Sequence, residues 1–346
     1  MIIKIRQNLQ FGPAWDILRV KRTEGDMKMG SKSVFVIGGA VADLSVVGAD
    51  PSVFRRPSTP VEAIRLSPGG DAMNESSVLA RLGSRVSLLT LLGEDEMGKL
   101  LLDRCRLWGI DTSPTAVRRE EVTSINLVLV DPEGERRFVT VKDSSLRRLA
   151  PEHVLPAAEK LTGEEIVSFA SLFVSPCFGV RELEELFGRI KAKGCTLCAD
   201  MTRRKNGETA EDMAPALRWL DVLFANEEEA VLLTGKATPE AAAQCLHACG
   251  VSHVVVKLGK RGGFYAGEEG SFAFPACPAR ATVDTTGAGD TFAGAFLHAL
   301  SRGEELRSCL AFAAAAASLC VEQLGCASEG LSREAVLERM EGGKKQ

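Results

Sequence analysis

The sequence offers little for aromatic, metal or triad chemistry: one Tyr, three Trp and four His in 346 residues. His153, His247, His253 and His298 show neither metal-ligand nor triad spacing, so they read as structural or surface groups. Ten cysteines supply only one C-x-x-C pair, Cys195 and Cys198, with no second pair to complete a zinc site. That pair sits in a run of strand character whose alternate residues face opposite ways. Cys245 and Cys249 lie one turn apart on a helical pattern, and all four read as small core thiols. A net charge of −4 and a pI near 5.8 leave no basic footprint for nucleic acid. No apolar run reaches the roughly 18 residues of a membrane span, and residues 1–22 lack the apolar stretch of a secretory signal. The expectation is a cytoplasmic protein. A P-loop is missing, and Gly38-Gly39-Ala40-Val41 is not a dinucleotide fingerprint.

What the chain does have is rhythm. Val34–Ile37 reads as a strand ending at Gly38 and Gly39. Asn74–Leu82 has helical spacing and stops at Gly83, as a left-handed C-terminal residue would stop it. A strand at Val86–Leu92 and a helix at Met97–Trp108 follow. Strands at Ile166–Val174, Thr196–Asp200, Val222–Asn226 and His253–Leu258 then alternate with helices at Val180–Lys193, Glu227–Thr234 and Glu240–Cys249. The pattern predicts an α/β fold, a mainly parallel central sheet with helices on both faces. Ligands should gather at the carboxyl ends of its strands. Ile125–Val130 and Arg137–Val141, around Asp131-Pro132-Glu133-Gly134, break the rhythm as a hairpin. With the aperiodic stretch Val41–Leu66 they predict a small β lid, about 41–66 and 112–142. The remaining expectation is one domain over 33–341, a peripheral extension at 1–32 and a tail at 342–346.

The segment Asp284-Thr285-Thr286-Gly287-Ala288-Gly289-Asp290-Thr291-Phe292 is rich in chemistry. It leads into a helical pattern, so the Gly-Ala-Gly turn lies at a helix N-terminus, which suits an anion. A carboxylate there could accept a hydroxyl proton while the turn stabilises a transferring phosphoryl group. The competing reading makes Asp290 a helix cap. The threonines, Asp284 and the small-residue helix behind the turn weigh against it.

That segment resembles the C-terminal motif of the ribokinase-like (PfkB) carbohydrate kinases. Pro68-Gly69-Gly70-Asp71-Ala72-Met73-Asn74, continuing through Leu79-Ala80-Arg81-Leu82-Gly83 to Gly93–Gly98, resembles their N-terminal motif. The resemblance covers about residues 33 to 341 and implies an ATP-dependent kinase of a sugar-like hydroxyl. Asp290 would be the base, with Gly287, Ala288 and Gly289 as the anion hole. Asp43, Gly69, Gly70 and Asn74 would bind substrate. Asn226 and Glu229, in Asn226-Glu227-Glu228-Glu229, would organise Mg²⁺ through water, against a plain reading as a helix start. Lys257, Gly259 and Gly262 match the turn beside ATP, although Lys257 reads equally as an ordinary strand residue. Asp284, Thr286, Gly325 and Ser328 match positions that hold a monovalent cation, K⁺, in several relatives. The Ala311–Cys320 helix would lie near the adenine.

The resemblance also implies a homodimer through the lid, with no membrane or nucleic-acid partner. Val41 and Asp71-Ala72-Met73 depart from the ribokinase pattern, so the expected order is free sugar or sugar acid, then nucleoside, then sugar phosphate. For the last, Arg136 and Arg137 could supply a cationic pocket, though paired arginines on a flap are usually solvated. A non-catalytic sugar sensor is the alternative of another class, disfavoured because a pure binder needs no base.

Overall fold

A computed structural model describes residues 31–131, 135–323 and 330–342. Its strands in chain order are β1 (Val34–Ile37), β2 (Val41–Val47), β3 (Ala63–Gly69), β4 (Val86–Leu89), β5 (Leu91–Gly93), β6 (Ala116–Arg118) and β7 (Ile125–Val130). There follow β8 (Arg136–Thr140), β9 (Ile166–Leu172), β10 (Thr196–Met201), β11 (Val222–Asn226), β12 (His253–Lys257), β13 (Gly263–Gly267) and β14 (Gly270–Phe274). Eight strands form the body in the order β14-β13-β12-β11-β10-β9-β1-β4. From β4 to β12 every pairing is parallel. All seven β9 residues and all four of β1 are buried. Near-continuous apolar runs are what a sheet covered on both faces requires.

Alternation along β1 shows the two layers. Val34 and Val36 pack with the helices Asp71–Arg81, Glu96–Leu107, Ala288–Ser301 and Leu306–Cys320. Phe35 and Ile37 point the other way, towards the helices Val180–Ala192, Ala210–Leu217 and Pro239–Ala248. Each layer carries its own apolar core, so helices on both faces are found as expected. Cys195 and Cys198 are buried free thiols within this packing.

A second sheet, β3-β2-β7-β8, stands apart. Its outer pairs are antiparallel, but its central pair, β2 with β7, is parallel, with Ala42 opposite Ile125. The hairpin strands fall where the pattern put them, and Val41–Leu66 joins them as β2 and most of β3. The Pro132–Gly134 corner and residues 1–30 lie outside the described residues.

Two details differ from expectation. Val86–Leu92 divides at Thr90 because its neighbours change: Leu88 takes the Asp111 carbonyl, whereas Thr90 accepts from Ala116 beside β6. The antiparallel β13–β14 hairpin at the edge of the body was not foreseen. Its glycines at 259, 262, 263, 267 and 270 resemble loop composition, yet β13 is wholly buried.

Candidate active site

Five side chains mark the carboxyl ends of the body strands and the helices that follow them. They are Asp71, Asp200, Asn226, Lys257 and Asp290. They border a cavity of about 880 Å³, as do Gly259, Gly262, Ala288, Gly289 and Glu229. Such convergence is what an open parallel sheet provides. The far wall of the cavity is apolar, built from Phe274, Pro278, Ala279, Ala314, Ala317 and Val321. Ala314 and Ala317 belong to the Ala-rich helix.

The helix Ala288–Ser301 begins after Gly287, whose φ of 72° lies in the left-handed region a glycine tolerates. Residues 288 and 289 therefore form its first turn, slightly earlier than the composition suggested. Phe296 packs edge-on against Phe224 of β11, centroids 5.1 Å apart, and fixes the helix on the sheet. Gly294 allows the Asp71–Arg81 helix to come close: a Cβ there would lie 3.1 Å from the Glu75 carbonyl oxygen. That approach brings Asn74 to Asp290, and its Nδ2 donates to Asp290 Oδ2 at 2.8 Å.

The residues expected to bind substrate lie beyond Asp290, under the second sheet. Asp43 on β2 accepts from Asn126 Nδ2 on β7 at 2.9 Å. Its carboxylate rests on the β3 backbone so closely that a Cβ at Gly69 would sit 2.0 Å from Asp43 Oδ2. Gly70 begins the Asn74-bearing helix. Asp43 thus lies on Gly69, Gly70 opens the Asn74 helix and Asn74 reaches Asp290, a polar recess that meets the cavity at Asp290.

Charge in the site is unbalanced. Asp71, Glu75, Asp200, Glu229 and Asp290 all lie within electrostatic reach of one ammonium, Lys257. Lys257 Nζ donates to Asp200 Oδ2 at 2.6 Å. Burial pulls the Lys257 pKa down, but Asp200, Glu229 and Asp290 outweigh it and the net shift is upward. Lys205 adds a second ammonium, acting on Asp71, and two cannot neutralise five carboxyls. Burial first, then Asp71, pushes Asp290 up to about 8. Burial raises Glu75 to about 8 against the hydrogen bond it accepts from Ser168. Burial likewise takes Glu229 to about 7, and it raises Asp43 despite Asn126 and Arg136.

The shared cause of these upward shifts is burial. Asn226 and Glu229 are also a reciprocal cap: Glu229 N–H donates to Asn226 Oδ1 and Asn226 N–H to Glu229 Oε2, both at 2.8 Å. The helix-start reading of that pair is the one these bonds show. Among the described residues no three carboxylate, thiol or imidazole groups converge to grip a bare ion.

The monovalent-cation positions behave differently. Asp284 is buried, 8% exposed. Its Oδ2 accepts from Arg136 Nη2 at 2.5 Å and its Oδ1 from the Thr286 N–H at 2.9 Å. The Thr286 carbonyl accepts from the Cys320 thiol. Gly325 and Ser328 lie outside the described residues.

The Lys257 side chain is 15% exposed and reaches the Gly287–Gly289 turn: a Cβ at Gly289 would lie 3.4 Å from its Nζ. Sequence reasoning missed Asp71, Glu75 and Asp200 as members of the charge cluster. Asp200, an acid at the end of a buried parallel strand, was the signal that could have found it.

The model of the pfkB family carbohydrate kinases matches residues 31–332. This chain belongs to that family. A ribokinase of Arabidopsis thaliana is 31% identical to this PfkB kinase over 285 residues, 78% of this chain and 71% of the relative. A solved Arabidopsis thaliana ribokinase, complexed with ribose and ATP, aligns with a TM-score of 0.76 at 27% identity, covering 90% of this chain and 99% of its own. An E. coli structure described as a putative ribokinase II with ATP and Mg²⁺ aligns with the same TM-score at 24% identity, over 90% and 99%, and speaks for the fold alone. The PfkB kinase is accordingly a sugar-kinase phosphotransferase of ribokinase-like fold.

Proposed function

We propose that this kinase transfers the γ-phosphoryl group of ATP to a hydroxyl of a free sugar or sugar acid, with Asp290 as general base. The observation that carries the reading is the position of Asp290. It stands between the polar recess of Asp43 and Asn74 and the cavity that ends in an apolar slot fit for a purine. A hydroxyl held by Asp43, Asn74 and the backbone of Gly69 and Gly70 loses its proton to Asp290. The oxygen attacks the γ-phosphorus, and ADP leaves. Gly287, Ala288 and Gly289 at the helix N-terminus, with Lys257 behind them, take up the developing negative charge. Mg²⁺, when bound through water to Asn226 and Glu229, supplies further charge neutralisation on the phosphates. Gly259 and Gly262 line the nucleotide side, and closure of the lid sheet excludes water. ATP as donor implies the cytoplasm.

The inward Arg136 does not favour a sugar phosphate, because its charge is already committed to Asp284. The outer face of the lid supports a homodimer. Pairing across the sheet puts Leu44, Val46, Ile64, Leu66, Leu127, Leu129 and Val139 on one side. A second copy is the occupant such a self-complementary apolar face suits.

The test is ATP consumption with Mg²⁺ over a panel of sugars, sugar acids, nucleosides and sugar phosphates, with Asp290→Asn alongside. Turnover on a sugar or sugar acid, lost in the variant, is expected. Undiminished turnover by the variant would remove Asp290 as base, and turnover on nucleosides alone would overturn the substrate class.

A further inference from the structure

Between β14 and the Ala288–Ser301 helix, residues 275–287 run without regular structure. This strap supplies one wall of the apolar slot, through Cys277, Pro278 and Ala279. The other wall is the Leu306–Cys320 helix, through Ala314, Ala317 and Ser318. A wall with no strand or helix of its own must be held from outside, since its backbone groups still need partners.

The holds come from the end of that helix and from the last helix of the chain. The Val283 N–H donates to the Val321 carbonyl at 2.7 Å. The Arg280 N–H donates to Glu322 Oε1, and Glu322 Oε2 accepts in turn from Arg339 Nη2 at 2.9 Å. Arg339 Nη1 donates both to the Pro278 carbonyl, at 3.2 Å, and to Ser318 Oγ, at 3.0 Å. One guanidinium nitrogen thus touches both walls of the slot, while the other grips the acid that holds the strap. Arg339 is presented by the helix Arg333–Gly342, which Val336, Leu337 and Met340 dock onto the body core. Its side chain is only 10% exposed, so these bonds are sheltered from water.

Ser318 makes the spacing of the walls matter. Its hydroxyl donates to the Ala315 carbonyl at 2.7 Å and accepts from Arg339, so it is turned towards the protein. This part of the slot offers a base close packing, and packing depends on where the two walls stand.

We propose that Arg339 is a positioning residue for the nucleotide: from the last helix it fixes the separation of the two slot walls and so sets the affinity for the purine of ATP. This deepens the ATP reading above and rests on it. Arg339 touches no reacting atom, so its loss is felt in nucleotide binding and not in phosphoryl transfer.

The test combines calorimetry with Mg·AMP-PNP and steady-state kinetics on the sugar or sugar acid that the panel identifies. Wild type, Arg339→Gln, Arg339→Lys and Glu322→Gln are compared, each checked for folding by circular dichroism. Arg339→Gln should bind AMP-PNP about tenfold more weakly, the size of one hydrogen bond to a charged group. Its KM for ATP should rise by the same factor, with kcat and the KM for sugar unmoved. Arg339→Lys, which keeps the charge but not the fork, should recover part of the affinity. Glu322→Gln keeps an oxygen for the Arg280 N–H and should show a smaller loss in the same direction; it decides the matter should Arg339→Gln not fold. Wild-type AMP-PNP affinity in the folded variants, or a fall in kcat with the KM for ATP unchanged, overturns the proposal and leaves the ATP reading intact. Failure of wild type to bind AMP-PNP overturns both.

Discussion

The two sheets of this kinase solve opposite problems. The body sheet is covered on both faces by helices, and Asp200, Asn226 and Lys257 stand at its strand ends beside the cavity. The lid sheet has no helical layer over its outer face. Ile64 is 63% exposed, Leu66 44% and Val139 53%. On its inner face the lid meets the site through a few polar groups, Asp43, Asn126 and Arg136. The body completes itself; the lid is completed by what it touches. Substitutions should divide the same way, with chemistry lost in the body and affinity or assembly lost in the lid.

The sharpest break is Asp290→Asn. Loss of a general base should lower kcat by about 10²–10⁴-fold, with Mg·AMP-PNP affinity retained in calorimetry. Next is Gly69→Ala, whose Cβ must displace the Asp43 carboxylate. It should cost about 1.5–3 kcal/mol of sugar binding, the range for hydrogen bonds to charged groups, read as a raised KM for sugar with the KM for ATP unmoved. An equal rise in both would erase the distinction between recess and cavity. Leu66→Glu on the outer face should shift sedimentation from dimer to monomer with thermal stability little changed.

The pH dependence sets the body apart in another way. The fold holds Asp290 and Glu75 near 8, far above the roughly 4 of a free carboxyl. The folded state therefore binds protons that the unfolded chain has already released, and stability declines as pH rises from about 4 to about 8. Asp290→Asn should melt higher than wild type above pH 8, with the advantage vanishing towards pH 4. In wild type, kcat/KM should fall on acidification as Asp290 takes its proton. The smallest effect is expected from Glu75→Gln, which keeps an oxygen for Ser168: turnover near wild type, with a flatter stability profile. A large loss of turnover would bring Glu75 into the chemistry.

Much of the body was legible because its signals are local. Strand–helix alternation, Gly83 and the small residues of 287–289 each act within one element, and they gave the fold class and the position of Asp290. The charge cluster was not legible, because Asp71, Glu75 and Asp200 meet Lys257 only after distant strand ends converge. Nor was the difference between Arg136 and Arg137, since a step of one residue in a strand reverses the face and only the register against β7 decides it. The β13–β14 hairpin escaped because Gly263, Gly267 and Gly270 bound two five-residue strands and read as turn punctuation.

The parallel pairing at the centre of the lid has a consequence for how the enzyme comes into being. Ala42 finds Ile125 only after the intervening helices and strands have been laid down. Pairings so distant along the chain carry a large closure entropy and form late. Until then Asp43 lacks Asn126. The cavity comes later still, because Asn74 meets Asp290 across 216 residues against 83 for Asp43 and Asn126, so a newborn chain should pair its lid strands before it can hold a nucleotide.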